Sequence, residues 1–244
     1  DGGCVFTIPQ KDGSERFVML RITGEDEVQV GLVEDVTATT LERRRIEHER
    51  DYDVLTGLYN RRAFDARAKK LFRMPEKLGH AALLMMDMDN LKHINDTFGH
   101  DWGDRYINLA GQCFSQTLSP NTICARMSGD EFIVLFYGYD GRDEIRQVLN
   151  RLSEAMKERT ALLPNGDTMR ISISGGIAWY PENGRDLATL KKYADFAMYM
   201  AKHSTKGVLQ EFDLSSYQKN SYLLSGREEL NQLLERSDIP FALQ

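Results

Sequence analysis

Residues 123–137 read Ile123-Cys124-Ala125-Arg126-Met127-Ser128-Gly129-Asp130-Glu131-Phe132-Ile133-Val134-Leu135-Phe136-Tyr137. The residues 123–127 and 132–137 form two apolar segments. The four residues between them are polar and include a glycine, which is typical of a hairpin turn. We therefore predict a β-hairpin at the centre of a sheet.

The residues on either side of this hairpin alternate between helical and strand patterns. Helical patterns, most of them with apolar residues at i, i+3, i+4 and i+7, predict helices over residues 61–72, 106–117, 145–156 and 187–201. Apolar runs of strand length predict strands over residues 81–88, 169–179 and 208–212. Within 169–179, Gly175-Gly176 predicts an interruption of the strand. This alternation predicts an α/β sandwich with a mixed sheet.

The first 52 residues follow a different pattern. Strands are predicted over residues 5–8, 16–22 and 28–36, with turn signals between them. Three strands make too small a core for a domain, so we interpret residues 1–38 as the end of a larger sheet module. Residues 39–52 are charged on nearly every side, which favours a solvated connector helix.

The composition excludes several classes of protein. The 244 residues are 41% hydrophobic and 28% charged, which is typical of a globular protein and excludes disorder or a coiled-coil rod. No apolar run approaches the roughly 18 residues of a membrane span, so we expect no membrane contact from this stretch. The net charge of −6 argues against nucleic acid as a partner.

Three cysteines form neither a disulfide framework nor a zinc pattern, which predicts a reducing, cytoplasmic location. A chain that begins on Asp1 and ends on Gln244 is expected to be a fragment, whose parent protein could be anchored to a membrane elsewhere.

Two acidic clusters indicate where chemistry could occur. Asp87-Met88-Asp89 ends the predicted strand 81–88, and Asp130-Glu131 lies in the hairpin turn. If neighbouring strands bring these ends together, their oxygens suit a hard cation such as Mg²⁺. By itself each cluster is more often a polar strand end. The intervening residues 90–104, read as a loop-rich stretch with many polar groups, favour the functional interpretation.

Four ordered motifs carry a family resemblance. They are Asp53-Val54-Leu55-Thr56-Gly57-Leu58-Tyr59-Asn60-Arg61-Arg62, the stretch 87–104, Arg126-Met127-Ser128-Gly129-Asp130-Glu131-Phe132, and Ala194-Asp195-Phe196-Ala197-Met198-Tyr199-Met200-Ala201-Lys202. Together they resemble the GGDEF diguanylate cyclase family over residues 53–213. The resemblance implies a palm-like α/β fold with a ferredoxin-like core, and the condensation of two GTP molecules into cyclic di-GMP and two pyrophosphates.

The flanking segments resemble other modules. Residues 1–38 are similar to the end of a PAS sensor module. Residues 214–244 resemble the start of an EAL phosphodiesterase domain preceded by a linker. This resemblance implies a downstream EAL domain in the parent chain.

The resemblance also assigns catalytic and metal-binding roles. Asp87 and Asp130 match the family's metal carboxylates, with the Met88 carbonyl as a third ligand for Mg²⁺ or, alternatively, Mn²⁺. Asp130 also matches the proposed base for the attacking 3′-hydroxyl, but an aspartate beside a dication is a weak base, which favours the metal role. Lys92 matches the lysine that stabilises the transition state.

The remaining matches concern the substrate, GTP. Asn95 and Asp104 match the residues that read guanine, since an amide and a carboxylate together satisfy the base edge. His100 matches a substrate contact, while Lys202 and Lys206 match the cations that hold the terminal phosphates. Because one chain holds one nucleotide and the reaction joins two, a homodimer is expected.

Two positions depart from the family pattern. Ser128 replaces the first glycine of the motif, which is a liability if that residue needs φ > 0 or lets the nucleotide approach the backbone. Residues 119–122 lack the Arg-x-x-Asp of the family's product-inhibition site. The alternative function is therefore a catalytically impaired GTP-binding module that controls a downstream EAL domain.

Overall fold

The computed structural model describes residues 3–25, 28–163 and 166–220. The chain divides into two compact units, Asp1–Asp51 and Tyr52–Gln244. Among the described residues, none of the helices combines the length and the apolar character that crossing a membrane requires.

The first unit is a three-stranded antiparallel sheet followed by one helix. The strands β1 (Cys4–Pro9), β2 (Glu15–Glu25) and β3 (Val28–Asp35) pair in sequence order, and α1 covers Thr37–Asp51. Phe17 and Val36 are buried, whereas Phe6 and Val33 are more than half exposed. The three strands and the following helix were expected from the sequence.

The second unit alternates strands and helices. Its elements are β4 (Tyr59–Asn60), α2 (Arg61–Phe72), α3 (Pro75–Leu78), β5 (His80–Met88), α4 (Leu91–Phe98), α5 (His100–Thr117), β6 (Thr122–Ser128), β7 (Glu131–Tyr139), α6 (Arg142–Glu158), β8 (Thr160–Leu162), β9 (Thr168–Arg170), β10 (Ile173–Tyr180), α7 (Leu187–Ser204) and β11 (Leu209–Glu211). β8 and β9 form a separate two-stranded ribbon.

Six strands form one mixed sheet in the order β11-β10-β5-β7-β6-β4. The pairs among β10, β5, β7 and β6 are antiparallel, and the two outer pairs, β10 with β11 and β4 with β6, are parallel. Apolar side chains alternate between the faces of this sheet. One face packs on residues of α5 and α6 such as Phe114 and Leu152, and the other on residues of α2 and α7 such as Phe64 and Leu190. The predicted α/β fold with a mixed sheet flanked by helices is confirmed.

The stretch 90–104 is helical, so the prediction of a loop-rich segment was wrong. Leu91 and Ile94 bury one side of α4, and Gly99, with φ of +88°, separates α4 from α5. A left-handed conformation favours glycine because it lacks a Cβ atom. The polar residues of this stretch therefore stand on two helices.

The glycine pair Gly175-Gly176 does not interrupt a strand, contrary to the prediction. The strand break falls at residues 171–172, and both glycines lie within β10. A Cβ atom on Gly176 would meet backbone atoms of α7, including the Ala194 carbonyl oxygen. Glycine is needed there because the helix backbone packs directly against the strand.

Candidate active site

The two acidic clusters meet where β5 and β7 pair. Asp87 is opposite Glu131 in this antiparallel ladder, and the Met88 amide donates to the Asp130 carbonyl oxygen at 3.0 Å. The end of β5 and the turn between β6 and β7 are thus neighbours. This arrangement brings together the residues predicted as metal ligands.

The Asp87 carboxylate is buried beside one cation. The residue is 8% exposed, and the Lys202 ammonium nitrogen lies 2.5 Å from Oδ1. Burial raises the pKa of Asp87, the Lys202 ammonium opposes this shift, and the Asp130 and Glu131 carboxylates add to it. The Lys202 ammonium therefore balances part of the negative charge at this buried carboxylate.

These residues fit a hard divalent cation. Two carboxylates and the Met88 carbonyl would supply oxygen ligands only, as Mg²⁺ prefers. The Asp87 Oδ1 atom is already paired with the Lys202 ammonium, so a cation bound there would share this oxygen with Lys202 or displace the lysine. Within the described part of the chain, no group of three His, Cys, Asp or Glu side chains could hold a metal. That finding does not exclude the predicted set, which contains only two such side chains.

Asp89 does not belong to this set, although the sequence places it in the same acidic cluster. Its carboxylate is 3% exposed and accepts hydrogen bonds from the Ser172 and Ser174 hydroxyls at 2.6 and 2.8 Å. The chain changes direction directly after it, because Asn90 has a left-handed conformation with φ of 65°. The Asp89 oxygens are therefore already satisfied within the protein.

The turn between β6 and β7 accommodates Ser128. Asn90 is the only non-glycine residue with positive φ in the described ranges, so Ser128 needs no left-handed conformation. Its hydroxyl is exposed and donates to Glu131 Oε2 at 3.2 Å. The positive φ of the turn, 43°, is at Gly129, where the motif glycine is retained.

Arg126 stabilises this turn through a hydrogen bond and an ion pair, a role that sequence reasoning missed. Its Nε donates to the Gly129 carbonyl oxygen at 2.9 Å, and its guanidinium pairs with Asp53 at 3.2 Å. Asp53 in turn accepts from the Thr56 amide and hydroxyl at 2.9 and 2.7 Å. Both residues stand in the motifs quoted above, but their 73-residue separation hides the contact.

The predicted guanine readers stand on consecutive helices. Asn95 lies half-buried on α4 and Asp104 lies exposed on α5. The Asn95 Oδ1 atom is buried and has no hydrogen-bond partner within the described ranges, and Gly103 leaves the space that this atom occupies. A buried amide oxygen with an unused acceptor is suited to a ligand that donates a hydrogen bond.

A shallow cavity of about 330 Å³ adjoins Asp104 but not Asn95. It is lined by Leu55, Asp104, Arg105, Asn108, Leu109 and Gln112. The Asn108 amide donates to the Leu55 carbonyl oxygen at 2.6 Å, which fixes the loop before β4 against α5. Apolar and polar groups together could enclose a planar base.

The other predicted substrate residues are separate from the carboxylates. Lys92 on α4, His100 at the start of α5 and Lys206 after α7 are all exposed. Among the described residues, no hydrogen bond or ion pair links these three to Asp87 or Asp130. Of the predicted phosphate cations, the structure brings only Lys202 into contact with a predicted metal ligand.

Comparison with known proteins identifies relatives of this unit. The family model described as "Diguanylate cyclase, GGDEF domain" matches residues 50–207. The chain is 36% identical over 169 residues to the diguanylate cyclase TpbB of Pseudomonas aeruginosa (strain UCBPP-PA14), covering 68% of this chain and 38% of that protein. It is also 31% identical over 194 residues to the cyclic di-GMP phosphodiesterase NbdA of Pseudomonas aeruginosa, covering 79% of this chain and 24% of NbdA.

Solved structures agree in fold. The crystallised GGDEF domain of TpbB from Pseudomonas aeruginosa superposes with a TM-score of 0.61 at 32% identity, covering 65% of this chain and 99% of that one. A sensory box/GGDEF family protein of Caulobacter crescentus CB15 gives a TM-score of 0.56 at 31% identity, covering 63% and 99%. The chain spans at most 48% of the length of the first curated relatives. Over its second unit, this chain belongs to the GGDEF diguanylate cyclase domain family.

Proposed function

We propose that this chain is a diguanylate cyclase that condenses two GTP molecules into cyclic di-GMP and two pyrophosphates. The observation that carries this proposal is the meeting of Asp87, Met88 and Asp130 at the paired ends of β5 and β7, in a member of the GGDEF family. Membership of the family supports this reaction type, and the contact between the two strand ends supports a cation site there.

Different residues of the chain would bind the metal and stabilise the transition state. Asp87, the Met88 carbonyl and Asp130 would hold Mg²⁺, with Mn²⁺ as an alternative, and a bound dication would offset negative charge on the phosphates as pyrophosphate leaves. Lys92 would add positive charge near the transition state, a role for which its exposed position on α4 leaves the ammonium free to move. Asp130 as metal ligand takes precedence over Asp130 as base, because a nearby dication lowers its proton affinity.

The substrate is held at its two ends. Asn95 and Asp104 would read the guanine edge, with His100 as a further contact. Lys202 and Lys206 would pair with the terminal phosphates, which requires Lys202 to leave Asp87 or to serve both groups. Each 3′-hydroxyl must attack the α-phosphate of the other nucleotide, so two chains would face each other across a two-fold axis.

The test is to incubate the 244-residue chain with GTP and Mg²⁺ and to quantify cyclic di-GMP and pyrophosphate by chromatography and mass spectrometry. We expect product at one cyclic di-GMP per two pyrophosphates, and none with EDTA or with Asp87→Asn. Asp140→Asn is the matched control, since this exposed aspartate follows β7 at the end away from the site. GTP binding without product in the wild-type chain would reject the cyclase and support a regulatory module.

The regulatory alternative rests on Ser128, which replaces a motif glycine. Of its two liabilities, the need for positive φ does not arise at this position. The exposed hydroxyl would still add bulk where a nucleotide approaches the turn. Ser128→Gly separates the two functions: a large gain in turnover means that the serine impairs catalysis, and an unchanged rate means that it does not.

The same proposal covers the segments before and after the cyclase domain. Residues 1–38 would be the end of a PAS-like sensor module, residues 39–52 its connector and residues 53–213 the cyclase domain, followed by a linker and the start of an EAL-like domain. The EAL-like residues 227–244 lie outside the described residues. We place this part of the parent protein in the cytoplasm. Expression of a longer chain and assay of cyclic di-GMP hydrolysis would test the EAL assignment.

A further inference from the structure

A buried chain of hydrogen bonds begins at the Asp89 carboxylate. Ser172 and Ser174 each donate a hydroxyl hydrogen to it, to Oδ2 at 2.6 Å and to Oδ1 at 2.8 Å respectively. Asp89 is 3% exposed and Ser174 is fully buried. A carboxylate so far from water persists because both oxygens have donors.

The chain of bonds continues through Ser174 to the turn after α7. The Gly207 amide donates to Ser174 Oγ at 3.1 Å, while the same hydroxyl gives its only hydrogen to Asp89. The amide, hydroxyl and carboxylate thus form one directional relay, in which each bond polarises the next. Gly207 has φ of +76°, which favours glycine at this point of the turn.

The two ends of the relay carry groups of the proposed active site. Asp89 directly follows Met88, and its own amide donates to the Ser172 carbonyl oxygen at 2.9 Å. Gly207 directly follows Lys206, which is exposed in the turn between α7 and β11. The relay therefore connects the strand end that bears the predicted metal ligands with the turn that bears a predicted phosphate cation.

We propose that Asp89 is a positioning residue: through Ser174 it fixes the Gly207 turn so that Lys206 faces the triphosphate. This inference rests on the proposed binding of GTP. Asp89 is not a metal ligand, because a cation would have to replace two hydroxyl donors and leave buried hydroxyls unpaired. It acts on the substrate only through Lys206.

Two serine variants form a matched pair for the test. Ser174→Ala and Ser172→Ala each remove one hydroxyl donor from the same carboxylate, but only Ser174 also accepts from Gly207. A role confined to stability predicts similar effects of the two variants. The relay predicts that the two variants differ in hydrogen exchange of the Gly207 amide and in affinity for GTP.

The first measurement is hydrogen exchange of the Gly207 amide by NMR in the nucleotide-free chain. We expect about tenfold or faster exchange in Ser174→Ala, and less than about threefold change in Ser172→Ala, because a single lost acceptor exposes only that amide. An unchanged Gly207 rate in Ser174→Ala, or an equal increase in both variants, would overturn the relay.

The second measurement is GTP affinity by calorimetry, in the wild-type and Lys206→Ala backgrounds. Loss of the relay should weaken GTP binding by about five- to tenfold, as expected for one misplaced charge-assisted contact. In the Lys206→Ala background, Ser174→Ala should have no further effect. A full-sized effect of Ser174→Ala without Lys206 would show that the serine acts elsewhere and would reject the positioning role.

The third measurement is Mn²⁺ binding without nucleotide. Asp87→Asn should abolish it, whereas Asp89→Asn should change it by less than about threefold, since an amide still accepts from one serine. Equal losses would make Asp89 a metal ligand and overturn the inference. If the wild-type chain binds no GTP, the proposed function fails together with the role of Lys206. Failure of the exchange measurement with intact GTP binding overturns the positioning role alone.

Discussion

Gly103→Ala should separate guanine recognition from folding. A Cβ atom at this position on α5 would lie 1.9 Å from Asn95 Oδ1, whereas ordinary van der Waals contact begins at 3.4 Å. The Asn95 amide oxygen must therefore move by about 1.5 Å, which is enough to break a hydrogen bond between this oxygen and a guanine base. Asn95 is a predicted guanine reader, so the substitution removes a base contact without touching the base.

The cost to the fold should be small. The atoms nearest to the added methyl group are the ends of the Asn95 and Leu91 side chains, which can rotate away. Alanine in a helix interior is favoured over glycine by about 0.5–1 kcal/mol, which offsets part of the strain. We expect the free energy of unfolding to stay within about 1 kcal/mol of the wild-type value.

The cost to binding should be large. Loss of a buried hydrogen bond costs about 1–3 kcal/mol, or roughly ten- to a hundredfold in affinity. Calorimetric titration with GTP and ATP measures this loss, and urea unfolding measures stability. Gly141→Ala is the control, because a Cβ atom there meets nothing within 4 Å. GTP affinity within twofold of wild type, or equal losses for GTP and ATP, would refute the reasoning.

Three further predictions concern charge, packing and assembly. Because the pKa of Asp87 is raised on folding, its ionised form destabilises the fold. Asp87→Asn should therefore gain stability relative to wild type as pH rises through that pKa, as urea unfolding at pH 4 and pH 7 would show. Gly176→Ala should lower the free energy of unfolding by about 1–3 kcal/mol in the same assay at pH 7, because the added methyl group meets the α7 backbone. An unchanged free energy of unfolding would contradict that packing. Specific cyclase activity should rise with protein concentration until dimers saturate, and micromolar cyclic di-GMP should not inhibit at residues 119–122, where the Ser119 hydroxyl is paired with Tyr139 and lacks the charge of an arginine. A concentration-independent rate, or strong inhibition by added product, would contradict this.

The helices and strands with clear apolar periodicity could be predicted from the sequence. The bounds of α2 agree with the prediction of residues 61–72, and Asn60 caps that helix by accepting from the Ala63 amide. The hairpin was predictable because its two apolar segments flank a polar turn. In these stretches local pattern and tertiary packing favour the same structure.

Features that depend on distant neighbours could not be predicted. Nothing in the local pattern shows that Gly176 faces the backbone of α7, or that Arg126 reaches Asp53. The stretch 90–104 was misread because only a few apolar residues, such as Leu91 and Ile94, anchor α4, and its many polar groups resemble a loop. Buried sites of this kind are decided by contacts between elements that are far apart in sequence.

Asp87 and Asp89 show the same limit within one cluster. Two aspartates in a strand end look equivalent in sequence, yet one contacts Lys202 and the other two serine hydroxyls. The difference arises because Asp89 follows the last residue of β5, where Asn90 redirects the chain. The donors that satisfy Asp89 come from a segment more than 80 residues away.

The charge balance of the site explains why a cyclase of this kind would need a dication. The Asp130 and Glu131 carboxylates are near enough to raise the pKa of Asp87, and Lys202 offsets only one of these three charges. A triphosphate that approaches such a group is repelled by about 4 kcal/mol for each pair of like charges at 4 Å in a protein-surface environment. One lysine cannot serve both the carboxylate and the phosphates at full strength. A dication held by the two aspartates would offset two of the three negative charges and weaken the hold of Asp87 on Lys202, so the lysine that pairs with Asp87 would become available as a phosphate contact.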